Sequence, residues 1–302
     1  MPRALMQSRG GRYGEQVFVC ANGFRHYVPS VERLEAYGLK WPSDLKQVPD
    51  EVLGSYRIGG WLPHVFTERD PNQINDSRLM REYLGANLSG IGLEVGAGAS
   101  PFPVPLTCTV LYGDRIAHEQ LVAELYPGQR EFELVRPDFL TDFGSFGGVA
   151  SESVDFVIGC HVIEHVFDPI GSLVNAYRVL KPGGTLLLVV PDKNRTFDRE
   201  RPVTALEHLI LDHTAPSVDR DREHYEEFYT LAFKTERERL ADKVDAEFGR
   251  RGDLHVHVWD YPAFGELVKW VQENRVRWQS IKSYPARPDE ASDIEFYFVL
   301  RK

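Results

Sequence analysis

The stretch GLEVGAGASPFP, residues 92–103, decides the fold. A strand-like run, Ile91–Glu94, ends there in a glycine-rich turn, the arrangement that cradles a ligand at the top of an α/β sheet. A dinucleotide fingerprint reads G-x-G-x-x-G and rests a pyrophosphate on the N-terminus of the next helix. Here Gly96 and Gly98 are present, but the third glycine position is Pro101. Glu94 stands two residues before Gly96, where a carboxylate repels a pyrophosphate and attracts a cation. The turn alone is also compatible with an ordinary glycine loop, so the rest of the chain must decide.

From Gly90 onward, strand-like and helix-like segments alternate, which signals a parallel sheet flanked by helices on both faces. The expected strands are Ile91–Glu94, Thr109–Tyr112, Phe132–Val135, Val154–Gly159 and Thr185–Val190, with helices near Ile116–Leu125 and Pro169–Leu180. LKPGG supplies a helix stop and a turn, with Gly183 and Gly184 free to take positive φ. After Val190 a long charged stretch intervenes before a helix near Pro262–Glu273 and two final strands, Trp278–Tyr284 and Ile294–Leu300. The total is seven strands. In such a sheet the ligand lies across the carboxyl ends of the strands. Those ends offer Asp114 after the second strand, Asp138 beside Phe139 after the third, and GCHVIEHVFDP, with His161, Glu164 and His165, after the fourth.

In order and spacing, E-x-G-x-G, the acidic residue twenty positions on, RPDFL, CHVIEHVFDP and LKPGGTLLLVVPDK resemble the motifs of class I S-adenosylmethionine-dependent methyltransferases over roughly residues 88–192. The resemblance implies a Rossmann-like seven-stranded sheet and S-adenosyl-L-methionine as cofactor, a ligand with a sulfonium, an ammonium and no phosphate. It implies cofactor contacts at Glu94, Gly96, Gly98, Asp114 (ribose hydroxyls), Asp138 with Phe139 (adenine), and His161. Glu164 and His165 read instead as groups that orient the next helix. One departure is SPFPVP, whose three prolines prevent the helix that usually follows the turn. Together with VVPDKNRTFDRERPVT and LHVHVWDYPAF, this region resembles a subgroup associated with bacterial polysaccharide and cell-surface glycan biosynthesis, which implies a saccharide acceptor.

Residues 1–62 read as a small accessory module, and residues 63–302 as the methyltransferase domain. QVFVCANGFRHYVP places Asn22-Gly23 between two strand-like runs, a tight-hairpin signal. A short helix near Val31–Tyr37 follows, stopped by Gly38, and then a loop with Trp41 and Pro42. The module resembles one attached to various bacterial proteins, with no activity to carry over. DPNQINDSRLMREYLGANL reads as a helix that begins near Asp70 or Asn72.

The insertion at about residues 192–260 is expected to fold over the cofactor as a lid. It holds His208, His213, His224, His255 and His257, five of the chain's ten histidines. HLILDH sets His208 and Asp212 one helical turn apart, and LHVHVWD sets His255 and His257 on one side of an extended run. Imidazole and carboxylate are the groups that deprotonate a hydroxyl or hold a metal that acidifies it. His208, His213, His255 and His257 are therefore candidate bases, and His208, Asp212, His255 and His257 candidate ligands of a divalent metal such as Mg2+; alternatively these histidines satisfy buried backbone groups. Arg195, Arg199 and Arg201 suit an anionic group on the acceptor, or a network with Asp192, Asp198 and Glu200.

Composition bounds the partners. No apolar run approaches the roughly 20 residues that span a bilayer. The N-terminus lacks the apolar core of a signal peptide, and the three cysteines are scattered, which together point to a cytoplasmic protein. A net charge of -10 disfavours nucleic acid or an anionic membrane as partner. The expected reaction is in-line methylation of a sugar or glycan hydroxyl. Methylation of nitrogen or carboxylate on a small metabolite is the alternative, and a non-catalytic scaffold that keeps the cofactor fold is a second.

Overall fold

The computed structural model describes residues 3–66, 70–287 and 293–302. The chain forms two compact units, Met1–Thr141 with Val154–Ile158, and Asp142–Ser153 with Gly159–Lys302.

The first unit opens with a five-stranded sheet of β1 (Ala4–Ser8), β2 (Val17–Ala21), β3 (Phe24–Tyr27), β4 (Leu45–Val48) and β5 (Arg57–Ile58), in the order β4-β1-β2-β3-β5. The β2–β3 turn is the one Asn22-Gly23 demands: Ala21 pairs with Phe24, and the two turn residues have φ of 51° and 80°. Alternation along the strands sends Leu5 and Val19 to one face and Met6, Phe18 and Cys20 to the other. Each face is completed from further along the chain, the first by Leu106 and the second by Phe132. Val31–Tyr37 is a 3-10 helix that ends at Gly38, φ 70°. A short helix α1 (Asp50–Gly54) precedes β5.

Helix α2 (Ser77–Gly85) starts later than the sequence suggests. Asp76, not Asp70 or Asn72, caps it by accepting from the Leu79 amide at 2.7 Å; Asp70 caps only the 3-10 turn Pro71–Gln73. Then come β6 (Ile91–Val95), β7 (Thr109–Asp114), α3 (His118–Gln120) continuing as a π-turn through Leu125, and β8 (Phe139–Leu140). SPFPVP is non-helical, and its Phe102 and Val104 are buried. Gly60 and Gly85 accommodate it, since a Cβ at Gly85 would lie 2.0 Å from the Pro103 carbonyl oxygen.

The expected third strand, Phe132–Val135, does not form. Glu131–Glu133 is a 3-10 turn, and Phe132 packs edge-on against Tyr13 with ring centroids 5.1 Å apart. The strand beside β7 is Phe139–Leu140, with Gly113 opposite Phe139. Asp138 and Phe139 thus stand at the start of that strand instead of at its end.

The larger sheet also takes β9 (Val154–Cys160), β10 (Leu180–Pro191), β11 (Ser280–Tyr284) and β12 (Glu295–Arg301), in the order β11-β12-β10-β9-β6-β7-β8. The pairs β6–β7 and β7–β8 are parallel, whereas β12 runs antiparallel to β10 and β11. In the second unit α4 (Pro169–Val179) is capped by Asp168, and Leu186–Val190 of β10 are wholly buried. The insertion after β10 forms α5 (Leu206–Thr214), α6 (Val218–Glu227) and α7 (Arg237–Gly249), with a small core of Tyr225, Tyr229, Val244, Leu254 and Val256. α8 (Tyr261–Asn274) follows, capped by Asp260. Among the described residues no helix is long and apolar enough to cross a membrane.

Candidate active site

In the first unit the loop after β6 is shaped by its backbone. Gly96 and Gly98 take φ of 75° and 51°, the left-handed region that side chains resist. At Gly98 a Cβ would also stand 2.1 Å from the Tyr126 hydroxyl oxygen. Backbone bonds knit this loop to its neighbours: Gly96 N–H to Gly113 O at 2.9 Å, and Val135 N–H to Gly98 O at 2.8 Å. The result is a tight cradle of two left-handed glycines, with the Tyr126 hydroxyl packed beside Gly98.

Glu94 is turned inward. Its carboxylate, 1% exposed, accepts the Phe102 amide at 2.9 and 3.1 Å, and so pins the proline stretch under the cradle. Burial pushes its pKa up to about 8, against the pull of that amide and of Arg81. Buried and bound to that amide, Glu94 acts in this structure as a loop fastener. Asp114 ends β7, buried, and accepts the Ile116 amide at 3.3 Å. Asp138 accepts the Tyr112 amide at 2.7 Å and the Arg57 guanidinium, both on Oδ2. It lines a cleft of about 860 Å³ with Arg57, Tyr112, His118, Val135 and Pro137. Phe139 is half-buried.

In the second unit His161 follows β9 in a strained conformation, φ 53°, with its N–H on the Val189 carbonyl at 2.9 Å. Non-glycine residues held in this region cluster at functional sites. Its Nε2 lies 2.8 Å from Oε2 of the buried Glu295, whose Oε1 accepts the Tyr297 hydroxyl at 2.8 Å. The imidazole, 29% exposed, is thus oriented by a buried carboxylate and keeps an open side. Glu295 and Tyr297 were missed in the sequence; the only signal was a lone carboxylate opening the apolar strand EFYFVL.

The insertion histidines divide into three groups. His208, Asp212, His224 and His257 converge, whereas His255 does not join them. His255 lies in a second group, with Nδ1 2.6 Å from Asp198 and Nε2 3.9 Å from the buried Glu164. His165 is there too: burial opposes its charge, but Asp253 and Glu164 hold its pKa above the usual value. His213 is apart, its Nδ1 3.0 Å from both oxygens of Asp168 and its Nε2 accepting from Arg275 at 3.3 Å, a brace between the end of α5 and the start of α4. His257 is fully buried, with its pKa pushed down to about 3 by burial and by His224, so it cannot meet an acceptor and is withdrawn as a base. His224, the partner the sequence did not single out, is the buried exception with Tyr225 in the charged helix α6.

Of the three arginines, Arg201 joins the expected network through Asp198. Arg201 is buried and bonds Asp198, Glu227 and the carbonyls of His255 and Val256; Arg195 holds the carbonyls of Arg287 and Asp293; Arg199 is exposed.

Residues 93–188, from β6 through most of β10, match the family model of the methyltransferase domain. That span therefore carries a methyltransferase domain, set in a Rossmann-like seven-stranded sheet. No curated protein shows significant sequence similarity. Solved structures resemble the fold distantly. A methyltransferase from Thermotoga maritima, described as a possible histamine N-methyltransferase, is 16% identical over 71% of this chain and 82% of its own, with a TM-score of 0.37. A second, from Methanosarcina mazei, is 15% identical over 73% and 95%, also at 0.37. At that distance the likeness carries nothing about the methyl acceptor.

Proposed function

We propose that the protein transfers a methyl group to a hydroxyl of a sugar or glycan, with His161 as the base. The observation that carries this reading is the His161–Glu295–Tyr297 relay. A hydroxyl is too weak an acid to attack unaided at neutral pH, whereas an amine or a carboxylate needs little help, so an oriented imidazole favours oxygen. The saccharide rests on the resemblance of the SPFPVP and LHVHVWD regions to glycan-associated methyltransferases. The exposed ring of Phe197, tilted against His255 with centroids 4.8 Å apart, is a flat apolar face of the kind that packs on a sugar.

Cofactor contacts are assigned to the Gly96–Gly98 cradle, to Asp114 for the ribose hydroxyls, and to Asp138 Oδ1 with Phe139 for adenine. Bound S-adenosylmethionine supplies an electrophilic methyl on a sulfonium. That group would be transferred in line to the acceptor oxygen, the O–C bond forming as the S–C bond breaks and the cofactor leaving as a neutral thioether. His161 takes the hydroxyl proton on Nδ1, and Glu295, accepting from Nε2–H, stabilises the imidazolium as it forms.

The test is a mass-spectrometric screen with isotope-labelled cofactor against nucleotide sugars and oligosaccharides, set beside amines and carboxylic acids. Label on a saccharide oxygen is the expected result. Transfer only to nitrogen or carboxylate overturns the acceptor, and cofactor binding without transfer to any acceptor points to a scaffold.

A further inference from the structure

The four groups His208, Asp212, His224 and His257 come from three separate segments: α5, α6 and the extended run before α8. Their ligand atoms all lie within 4.8 Å of one another. His208 Nε2 is 3.3 Å from His224 Nε2, and Asp212 Oδ2 is 3.0, 3.8 and 4.0 Å from Nε2 of His208, His224 and His257. Four ligands of a tetrahedral zinc ion, each about 2.0–2.2 Å from the metal, stand roughly 3.3–3.5 Å from one another. The set is already close to that size.

A buried atom points the same way. Asp212 is 7% exposed, and its Oδ2 has no hydrogen-bond partner although three imidazoles surround it. At 3.0 Å from His208 it is near enough to bond but not aligned, as when two groups face a common third point. A buried carboxylate oxygen is costly to leave unmatched, and an ion at the centre would satisfy it. His257, wholly buried, faces Asp212 through Nε2, and an ion would replace that atom's 3.2 Å contact with the Phe167 carbonyl. Asp212 Oδ1 is meanwhile held by Arg220 Nε at 2.7 Å, the kind of outer contact that fixes a metal ligand.

We infer that His208, Asp212, His224 and His257 form a structural zinc site that staples α5 and α6 to residues 254–259. Three imidazoles and one carboxylate suit Zn2+ and not Mg2+, which prefers an all-oxygen octahedron. Four protein ligands close the coordination sphere, the mark of a structural and not a catalytic ion. The insertion needs such a staple, because α5 and α6 are short and its own core is small.

The test uses the full-length, untagged protein. Elemental analysis after exhaustive dialysis should find about one zinc per chain, and cobalt substitution should give the intense visible bands of a tetrahedral site. His224→Ala and Asp212→Asn should lower zinc content at least tenfold, whereas His213→Ala and His255→Ala, outside the set, should retain it. If the ligand variants do not fold, chelator competition on the wild type decides. Release of one zinc with sub-micromolar affinity and a fall in Tm supports the site; no binding tighter than micromolar makes the cluster a hydrogen-bonded histidine network and overturns it. Cofactor affinity and turnover are read separately, so failure here leaves the methyltransferase reading intact.

Discussion

Between Val95 and Phe102 the chain is shaped by its backbone; around Asp212 it is shaped by side chains. The cradle depends on two glycines two residues apart, on positive φ at both, and on amides bonded to the next strands. Its information is contiguous, and the nearby Glu94 carboxylate fastens it through the Phe102 amide. The insertion cluster has the opposite economy: four side chains from three segments, where one missing group unbalances the others. Backbone sites tolerate drift in sequence but not in spacing, and side-chain sites the reverse.

The largest effect that would sharpen this contrast is expected away from both regions, at His161. His161→Ala should lower turnover roughly 10²–10⁴-fold, the usual worth of a general base, with cofactor affinity unchanged by calorimetry. Glu295→Gln, which keeps a hydrogen bond but not the charge, should lose less. Normal turnover in His161→Ala removes it as base and returns the role to the insertion.

Glu94 gives the next effect, through stability. Its pKa is about 8 when folded and 4.5 otherwise, so between these values the folded chain holds a proton that the unfolded chain has lost. Its contribution is complete below pH 4.5 and is lost as pH rises to about 8, at up to about 1.4 kcal/mol per pH unit. Urea midpoints from pH 5 to 8 should fall more steeply for wild type than for Glu94→Gln. Parallel curves would show that the carboxyl is ionised in the fold.

Gly98→Ala tests the cradle directly. The left-handed φ and the Tyr126 hydroxyl together should cost about 2 kcal/mol or more, roughly 30-fold in cofactor binding, whereas Gly148→Ala has positive φ but open space and should leave binding alone. Equal binding by both variants would mean that the loop relaxes freely. The smallest effect is expected at Asp114→Ala, a loss of roughly 1–3 kcal/mol in S-adenosylmethionine affinity for unpaired ribose hydroxyls. NAD should not bind at all.

The same contrast explains what the sequence revealed. Asn22-Gly23, Gly38 and Gly96–Gly98 were legible because each conformation is dictated by one or two adjacent residues. Phe139–Leu140 was not, because a two-residue strand has no periodicity and exists only where Gly113 and Asp114 pair with it. Phe132–Val135 misled because its apolar residues serve packing, with Phe132 against Tyr13. The i, i+4 spacing of His208 and Asp212 does bring the two side chains together, with Nε2 3.0 Å from Oδ2. Which third and fourth residues join them depends on how α6 packs, so His224 was passed over and His255 wrongly included.

Arg25 carries a last consequence. Its guanidinium bonds the carbonyls of Leu53 and Tyr56 on one side and of Phe132 on the other, while Tyr112 reaches back to the Ile58 carbonyl at 3.0 Å. The opening sixty residues and the strands that carry Asp114 and Asp138 therefore share hydrogen bonds that neither can replace alone. In the language of cooperativity the expectation is a single foldon, with protection from hydrogen exchange lost in both at once.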